Sequence, residues 1–427
     1  MAVGEAPERR RNRGFPQASR SWNGLKAEML AAHADDNPWC HERSFSAAYF
    51  AGEDVLRCAH EAYDAYRDEN GLFAASAYPS LAALERELIA GVLDLLHAPE
   101  AAGGSTTAGG TESILMAMKA ARDWARENRP VAGAPEVVVP KTAHAAFDKG
   151  AAWLGMKIVR MSRSEGWRAD IAGMAAAITE NTVMIAGSAP PYPYGETDPI
   201  EEIAALAQDH DLWMHSDGCI GGMILPFMTM LGDPIPPFDF AVPGVTSMSV
   251  DMHKFGYAHK GISLCLLRDK ALERYHRTTF DGWPAGTYST PTITGTRSGG
   301  AVASAWAVMT TLGEEGYLRI YEAQRRIRER LVEGIGAIEG LVVLGRPHAL
   351  HVTFYADGFD IFAVEEGTAA RGWRSIRMRE PDSILLWLNV KHAESIDAYL
   401  SDLAEVAADV RRGGITAASR GPSNYAT

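Results

Sequence analysis

The loop at residues 251–260 places several cationic side chains between two short apolar runs, VTSMSV and ISLCLL. Both runs are rich in apolar and β-branched residues, a pattern that predicts buried strands. The loop contains His253, Lys254 and Lys260. A lysine amine that is fixed at a strand end, partly desolvated and close to a second cation has a lowered pKa and can form a Schiff base. We predict that Lys254 is this amine and that Lys260 is the neighbouring charge; two ordinary loop lysines are the alternative.

A glycine-rich segment, TTAGGTES at residues 106–113, comes directly before a predicted helix. Its glycines let backbone N–H groups approach an anion closely, and the helix N-terminus adds about half a positive charge. The segment lacks the lysine that a Walker loop carries within its own motif. We therefore interpret it as a phosphate cradle, with an ordinary helix cap as the alternative.

Two further polar residues follow predicted strands. His144, in KTAHAAFDKG, opens a helix, and Asp217, in LWMHSDGCIGG, ends a strand. An imidazole in this position can stack on a flat aromatic ring. A buried carboxylate at a strand end is costly unless a cation, such as a protonated pyridine nitrogen, faces it. A helix cap or surface residue for His144 and a capping role for Asp217 are the alternatives.

These four features occur in a chain order that suits one cofactor. They provide a phosphate cradle, a residue that stacks on a ring, an acid for a pyridinium nitrogen and a Schiff-base lysine. Together they are the parts needed to hold pyridoxal phosphate. We predict no metal site, because the four cysteines (Cys40, Cys58, Cys219 and Cys265) are scattered without CxxC spacing.

Short apolar segments alternate with helical patterns from residue 105 onward. Strands are predicted at residues 137–139, 158–161, 183–187, 212–216, 245–250 and 262–267. Helices are predicted near residues 112–128, 143–153, 170–178 and 199–209. This alternation predicts an α/β fold with a mostly parallel sheet covered on both faces. Ligands of such sheets bind at the carboxyl ends of the strands.

The two ends of the chain have different patterns. Helices are predicted at residues 23–34, 54–68 and 81–96 near the start. A long charged helix at 316–338 and strands at 341–344, 352–355 and 384–388 predict a smaller α+β domain. We expect an N-terminal segment at 1–80, whose first 20 residues form a polar tail, and a large cofactor-binding domain at 81–312. A small domain at 313–415 and a tail at 416–427 would follow.

Composition narrows the class of protein. The chain has 427 residues, a net charge of -13 and a sequence pI near 5.5. Nucleic acid is excluded as a general partner, because phosphate backbones are bound by basic patches. The longest strongly apolar run, residues 220–231, is too short to cross a membrane. The scattered cysteines indicate a reducing compartment, so we expect a cytoplasmic protein.

Several segments resemble the successive motifs of the sphingosine-1-phosphate lyase family, within the group II pyridoxal-phosphate decarboxylase-like enzymes. They are TTAGGTESILMAMKAARDWA, HAAFDKGAAWLGMKIVRM, HSDGCIGG, PGVTSMSVDMHKFGYAHKG and GTYSTPTITGTRSGG. The resemblance covers residues 45–330 well and the C-terminal part more loosely. It implies a fold type I enzyme of the aspartate-aminotransferase kind, as a homodimer with sites at the subunit interface.

The resemblance also implies roles for cofactor-binding residues. Lys254 is then the lysine bound to pyridoxal phosphate, His144 stacks on its ring, and Asp217 faces the pyridinium nitrogen. The residues implied to hold the cofactor phosphate are Gly110, Thr111 and His253. Thr296, in the GTRSGG motif, is counted with the cofactor-binding residues.

Other residues are implied to act on the substrate. Lys260 matches a second lysine of the family, and Tyr49, in SFSAAYF, is similar to a tyrosine of an N-terminal family motif. Both are implied near the substrate phosphate or the leaving aldehyde. Tyr192 or Tyr194, in PPYPYG, is a further active-site tyrosine, and the sequence leaves the choice open.

Three hypotheses for function follow. The first is a carbon-carbon lyase that cleaves a phosphorylated long-chain amino alcohol to a fatty aldehyde and phosphoethanolamine. The second is an amino-acid decarboxylase of the glutamate, aspartate or aromatic type, which loses CO2 with the same cofactor. The third is a non-catalytic cofactor-binding or scaffold protein. The third hypothesis is disfavoured because every cofactor residue is present. The resemblance favours the lyase, with the decarboxylase as its alternative.

Overall fold

The computed structural model describes residues 16, 18–34, 36, 40–162 and 166–418. The described residues form two compact units, one before residue 40 and one from residue 40 onward. The tails predicted at 1–20 and 416–427 lie largely outside the described residues. The domain boundaries expected at residues 80, 312 and 415 stay a prediction.

The first unit contains one helix, α1 (Trp22–His33), among its described residues. The side chain of Ser21 accepts a hydrogen bond from the backbone N–H of Gly24 and so caps the helix start. The helix has no buried residues. Its bounds agree with the helix predicted at residues 23–34.

The second unit contains twelve α-helices and thirteen strands in its described part. The helices are α2 (Glu53–Tyr66), α3 (Ala74–Ala77), α4 (Pro79–Leu95), α5 (Gly110–Asn128), α6 (Ala146–Leu154), α7 (Ile171–Ala177), α8 (Ile200–Asp209), α9 (Leu225–Met230), α10 (Glu273–His276), α11 (Gly299–Gly336), α12 (Ile361–Ala370) and α13 (Ile396–Arg411). The strands are β1 (Gly103–Thr107), β2 (Glu136–Pro140), β3 (Lys157–Met161), β4 (Thr182–Ser188), β5 (Trp213–Asp217), β6 (Ser247–Val250), β7 (Ser263–Leu267), β8 (Thr278–Phe280), β9 (Tyr288–Thr290), β10 (Leu341–Val343), β11 (His351–Ala356), β12 (Ile376–Met378) and β13 (Ser383–Trp387). None of the described helices is long and apolar enough to cross a membrane.

Seven strands form the main sheet, in the order β1-β7-β6-β5-β4-β2-β3. The β2–β3, β2–β4, β4–β5 and β5–β6 pairs are parallel, whereas β7 is antiparallel to both β6 and β1. The predicted mostly parallel sheet is therefore confirmed. β6 and β7 form an antiparallel pair, so the loop with both lysines joins two adjacent strands.

Both faces of the main sheet are covered, as predicted. Val138 belongs to one hydrophobic cluster, which includes residues of α4, α8 and α11. Its neighbours Val137 and Val139 belong to a second cluster, which includes residues of α5 and α6. Since successive side chains of a strand point to opposite faces, the two clusters are the cores above and below one sheet.

Strand β1 was not predicted from the sequence, which is GGSTT. Glycine and small polar residues have low β-propensity, so the pattern gave no strand signal. The fold needs them there because the backbones approach closely. A Cβ atom added at Gly104 would lie 2.6 Å from the carbonyl oxygen of Cys265 in β7.

The smaller sheet has four antiparallel strands in the order β10-β11-β13-β12. It confirms the α+β character predicted for the C-terminal part, although β12 was not predicted. The hairpin β8–β9 was also missed. Its residues are mostly exposed and polar, so they lack the apolar alternation that marks a half-buried strand.

The long helix α11 starts at Gly299, well before the predicted start at residue 316. It is interrupted at Gly313, whose backbone has φ 54° and ψ -173°. Only glycine adopts this conformation readily. The first segment was missed because the glycine-rich sequence at its start weakens a helix signal. Gly300 is needed there, since a Cβ atom would lie 2.5 Å from the carbonyl oxygen of Tyr63 in α2.

We predict that Gly313→Ala lowers the free energy of unfolding by about 2 kcal/mol, because alanine is strained in this conformation. The site itself is open, with no atom within 4 Å of an added Cβ. The control is Gly336→Ala, in the same helix and equally open, which should be neutral or slightly stabilising. Urea unfolding of both variants is the measurement, and equal effects would show that Gly313 carries no backbone requirement.

Candidate active site

A cavity of about 570 Å³ lies at the carboxyl ends of the central parallel strands. Ser188 ends β4, Asp217 ends β5, and Asp251 and Lys254 follow β6. The start of α5 closes another side. A parallel sheet binds its ligands at this edge, so the position agrees with the one expected from the sequence.

The Nζ atom of Lys254 lies 2.9 Å from Oδ2 of Asp251. Burial acts to lower the pKa of Lys254, but the Asp251 carboxylate raises that pKa well above its usual value. The predicted lowered pKa of Lys254 is therefore wrong. The prediction considered Lys260 as the charge next to Lys254 and gave no role to Asp251, three residues before Lys254.

Lys260 is the lysine with the lowered pKa. Burial of its amine, followed by repulsion from Lys254, lowers the pKa of Lys260 to about 8. Its Nζ donates a hydrogen bond to the carbonyl oxygen of His253 at 2.9 Å. The same atom lies 4.7 Å from the centroid of the Tyr49 ring. The two lysines thus differ in charge state at weakly alkaline pH.

The start of α5 forms the predicted cradle. Gly109 is the N-cap, and it makes no side-chain hydrogen bond to the helix. The first backbone N–H groups of α5 are therefore available to an anion. A Cβ atom at Gly110 would lie 2.7 Å from Oδ1 of Asp251 and 2.7 Å from Sγ of Cys219, so glycine is required for this approach. Thr111 and His253 line the same cavity.

Glu112 holds the cradle in place and was missed in the sequence. Its Oε1 accepts hydrogen bonds from the backbone N–H groups of Ile293 and Thr294, at 2.7 and 3.0 Å. Its Oε2 accepts one from the N–H of Ala108 at 2.6 Å. The sequence shows a glutamate in the first turn of a predicted helix. Its role could not be predicted from this position, because two of its three partners lie about 180 residues away.

Asp217 is the last residue of β5 and is buried. Its Oδ1 accepts hydrogen bonds from the N–H of Cys219 at 3.1 Å and from Oγ of Ser249 at 3.0 Å. Both bonds use the same oxygen, which leaves Oδ2 for a group bound in the cavity. The capping contact to Cys219 and a role toward a ligand are thus compatible.

His144 lines the cavity just before α6. Its Nδ1 accepts a hydrogen bond from the N–H of Ala146 at 3.0 Å. Burial lowers the pKa of His144, although Asp217 acts in the opposite direction. The imidazole is therefore neutral at pH 7, and a neutral flat ring is suited to stacking on an aromatic ligand.

The predicted tyrosines lie in different places. Tyr192 lines the cavity. Tyr194 is not among the lining residues, and its hydroxyl donates a hydrogen bond to the carbonyl oxygen of Glu380 at 2.5 Å. Of the two, Tyr192 is the one placed to meet a ligand. Tyr49 packs edge-on against Phe255 and Trp387 and lies outside the cavity wall.

A second cavity of about 270 Å³ adjoins the first, and both are lined by Ala108, Gly261 and Thr294. Lys260 and Thr296 line the second cavity and not the first. The Thr296 hydroxyl accepts a hydrogen bond from Nδ2 of Asn70 at 3.2 Å. Arg297 also lines it and lies 3.5 Å from Glu85. Within this chain, Thr296 is therefore separated from the residues around Lys254.

The lining of the first cavity fits pyridoxal phosphate. Two of its buried polar atoms, Oγ of Ser188 and Oδ1 of Asp251, have no hydrogen-bond partner among the described residues. The glycine at position 110 keeps the helix start open. A lysine amine, a carboxylate, a flat imidazole and free N–H groups thus surround one space. The part of the chain that the structure describes has no cluster of His, Cys, Asp or Glu that could hold a metal ion.

Residues 38–356 match the family model of the pyridoxal-dependent decarboxylase conserved domain. The matched stretch contains all residues that line the two cavities.

Individual relatives are similar over most of the chain. A sphingosine-1-phosphate lyase from Dictyostelium discoideum is 38% identical over 383 residues, covering 89% of this chain and 71% of that protein. One from Oryza sativa subsp. japonica is 37% identical over 391 residues, covering 90% of this chain and 72% of that protein. The solved structure of a sphingosine-1-phosphate lyase from Burkholderia pseudomallei has a TM-score of 0.89 at 34% identity, and 93% of each chain is covered.

We predict that Asp251→Asn lowers the free energy of unfolding at pH 7 by roughly 3 kcal/mol, because it leaves the Lys254 charge buried without its partner. Lys254 lowers the pKa of Asp251 against the effect of burial. A carboxylate with a lowered pKa stabilises the fold above its ordinary pKa, and this stability is lost as the pH falls through the lowered value. The difference from wild type should therefore be unchanged between about pH 7 and pH 5.

The control for this prediction is Asp148→Asn, which removes a half-exposed carboxylate paired with Arg160. A surface pair contributes at most about 1 kcal/mol, so this variant should unfold at nearly the wild-type urea concentration. If the two variants lose the same stability, the buried pair of Asp251 and Lys254 contributes no more to the free energy of unfolding than a surface pair does.

Proposed function

The chain belongs to the pyridoxal-dependent decarboxylase family, in its sphingosine-1-phosphate lyase branch, and we propose that it is a carbon-carbon lyase that catalyses the reaction for which these relatives are named. Its cofactor is pyridoxal 5'-phosphate. The proposed substrate is a phosphorylated long-chain amino alcohol of the sphingosine 1-phosphate type. Cleavage of the C2–C3 bond releases a fatty aldehyde, and the remaining two carbons leave as phosphoethanolamine after C2 gains a proton.

The observation that supports this proposal is the meeting of four groups in one cavity: Lys254, Asp217, His144 and the uncapped start of α5. When bound, pyridoxal phosphate accepts the electron pair of the broken bond. We propose that Nζ of Lys254 binds its aldehyde carbon. Asp251, 2.9 Å away, holds the charged amine in position in the cofactor-free enzyme.

The other cofactor contacts follow from the same cavity. We assign Oδ2 of Asp217 to the ring nitrogen, because Oδ1 is already engaged by two donors. The neutral ring of His144 stacks on the cofactor ring. Backbone N–H groups at Gly110 and Thr111 bind the cofactor phosphate, with His253 beside them. Thr296 is assigned to the cofactor phosphate only across a subunit boundary, since it lies in the second cavity of its own chain.

The substrate phosphate needs donors of its own, because it carries nearly two negative charges at pH 7. We propose that Lys260 supplies the charge. Tyr49 lines neither cavity of its own chain, so we propose that its hydroxyl serves the site of the other subunit. Lys260 lines the second cavity, which adjoins the first, so an amine at Lys254 and a phosphate at Lys260 can belong to one substrate. Tyr192, on the wall of the first cavity, is assigned to the reacting end of the substrate.

We propose that the protein acts as a homodimer with active sites at the subunit interface. Two large apolar side chains at the first cavity, Trp153 and Ile293, are 63% and 50% exposed. Phe280 and Trp283, around the hairpin β8–β9, are also exposed. Such apolar surface is typical of a contact with another subunit. We further propose a cytoplasmic location, since all four cysteines are free thiols.

The first experiment is product analysis of the cofactor-loaded enzyme with sphingosine 1-phosphate and with a panel of amino acids. We expect a fatty aldehyde and phosphoethanolamine from the lipid and no CO2 from the amino acids. Lys254→Ala is the control, and it should show neither product nor the visible absorption band of lysine-bound cofactor. CO2 from an amino acid with the lipid left untouched would establish the decarboxylase alternative.

A second experiment tests the role of Lys260 through pH. Since its pKa is about 8, the amine is charged below that pH and neutral above it. The kcat/KM for the phosphorylated substrate should therefore fall as the pH rises through 8, because kcat/KM reports ionisation in the free enzyme. Lys260→Arg should lose this dependence, since arginine stays charged.

The matched variants are Lys260→Ala and Tyr49→Phe. Loss of a charged donor should lower kcat/KM about 100-fold, and loss of the neutral hydroxyl about tenfold. Both should keep the visible band of the bound cofactor. The kcat/KM for a substrate without phosphate should be unchanged in both variants. An equal loss of kcat/KM with that substrate would show that Lys260 does not bind the phosphate.

A further inference from the structure

A series of buried polar side chains leads from the core to Asp217 along strands β5 and β6. The two strands are parallel, and His215 pairs with Ser247 while Asp217 pairs with Ser249. Alternate residues of a strand share a face, so Trp213, His215 and Asp217 lie on one side of the sheet. The five side chains are almost fully buried, and none is more than 6% exposed.

These side chains are joined by four hydrogen-bond contacts. Nε1 of Trp213 donates to Oγ of Ser247 at 2.8 Å, and that oxygen lies 2.8 Å from Nδ1 of His215. Nε2 of His215 lies 3.3 Å from Oγ of Ser249, and Ser249 donates to Oδ1 of Asp217 at 3.0 Å. The series therefore runs without a gap from an indole to a carboxylate.

Chemistry at the two ends fixes the direction of every bond. An indole N–H only donates and an ionised carboxylate only accepts. Ser249 gives its single hydrogen to Asp217, so it must accept from Nε2–H of His215. Nδ1 of His215 is then an acceptor, and it takes the hydrogen of Ser247, which in turn accepts from Trp213. Each of the four hydrogen bonds is therefore donated in the direction of Asp217.

Two neighbouring observations agree with this direction. Burial lowers the pKa of His215 to about 4, although Asp217 acts against it, so the imidazole is neutral with one N–H and one lone pair. Cys219 donates from Sγ to Oγ of Ser249 at 3.2 Å. Burial raises the pKa of this thiol well above its usual value, so it keeps its hydrogen. Ser249 thus uses one hydrogen and both lone pairs.

We propose that Trp213, Ser247, His215 and Ser249, here termed the donor chain, act as positioning residues for the cofactor of this enzyme. The donor chain holds Oδ1 of Asp217 and stabilises its negative charge. Oδ2 is thereby kept in place for the ring nitrogen. Aligned hydrogen bonds in a buried setting strengthen one another, so the effect at Asp217 exceeds that of Ser249 alone. The inference rests on the pyridoxal phosphate assigned under the proposed function.

The experiment compares Ser249→Ala with Ser216→Ala. Both serines are fully buried on adjacent strands, but the Ser216 hydroxyl donates to the carbonyl oxygen of Phe238 and not to a side chain of the donor chain. Loss of a hydrogen bond to a charged group should raise the dissociation constant for pyridoxal phosphate about tenfold in Ser249→Ala. The visible band of the bound cofactor should also weaken relative to its near-ultraviolet band. Ser216→Ala should bind and absorb like wild type.

Thermal unfolding of the cofactor-free proteins separates positioning from packing. Ser249→Ala removes three buried hydrogen bonds and Ser216→Ala removes one, so the melting temperature should fall further in Ser249→Ala. Cofactor affinity is therefore compared at a temperature where both variants are fully folded. Ser247→Ala breaks the chain two bonds further from Asp217, and it should weaken cofactor binding by a smaller factor than Ser249→Ala. If Ser249→Ala does not fold, Ser247→Ala carries the test by itself, against the same control.

Cofactor affinity and spectrum decide the outcome. If Ser249→Ala, or Ser247→Ala in its place, matches Ser216→Ala in both, the donor chain is only structural and the inference is overturned. A wild-type protein that fails to bind pyridoxal phosphate would instead overturn the cofactor assignment, and the inference with it. The two failures are distinguishable because the first occurs with a wild type that binds normally.

Discussion

The buried ion pair between Lys254 and Asp251 is the interaction on which the site depends. Two charges removed from water are stable only when they face each other at short range with good geometry. Two elements meet at the Asp251 carboxylate. Strand β6 ends just before Asp251, and the start of α5 approaches the carboxylate closely because Gly110 has no side chain. The helix, the strand and the lysine loop are thus mutually fixed.

The same environment separates two lysines that look alike in sequence. They lie six residues apart in one loop, yet one has a raised pKa and the other a lowered pKa. The difference arises because Asp251 is in contact with only one of them. Lys254 is therefore held as a charged group, whereas Lys260 changes its charge at weakly alkaline pH, because its pKa is about 8. One loop provides a fixed charge and an adjustable one.

Much of the fold follows from local sequence. The parallel strands are short apolar runs, and their ends carried the polar residues that meet in the cavity. Features set by close backbone contact or by distant partners did not follow. β1 is a strand because glycine lets it lie against β7, and Glu112 binds residues far along the chain. The lysine pKa values depend on the balance of desolvation against charge attraction, which spacing alone does not give.

Glu112 has a consequence for which molecules the two cavities can hold together. It binds the backbone at Ala108 and Thr294, and these two residues form part of the wall between the cavities. A wall fixed by three backbone hydrogen bonds to one carboxylate does not adjust to its contents. The distance between the Lys254 and Lys260 amines is therefore fixed. If Lys260 binds the substrate phosphate as we propose, this distance sets the number of atoms between the amine and the phosphate of the substrate.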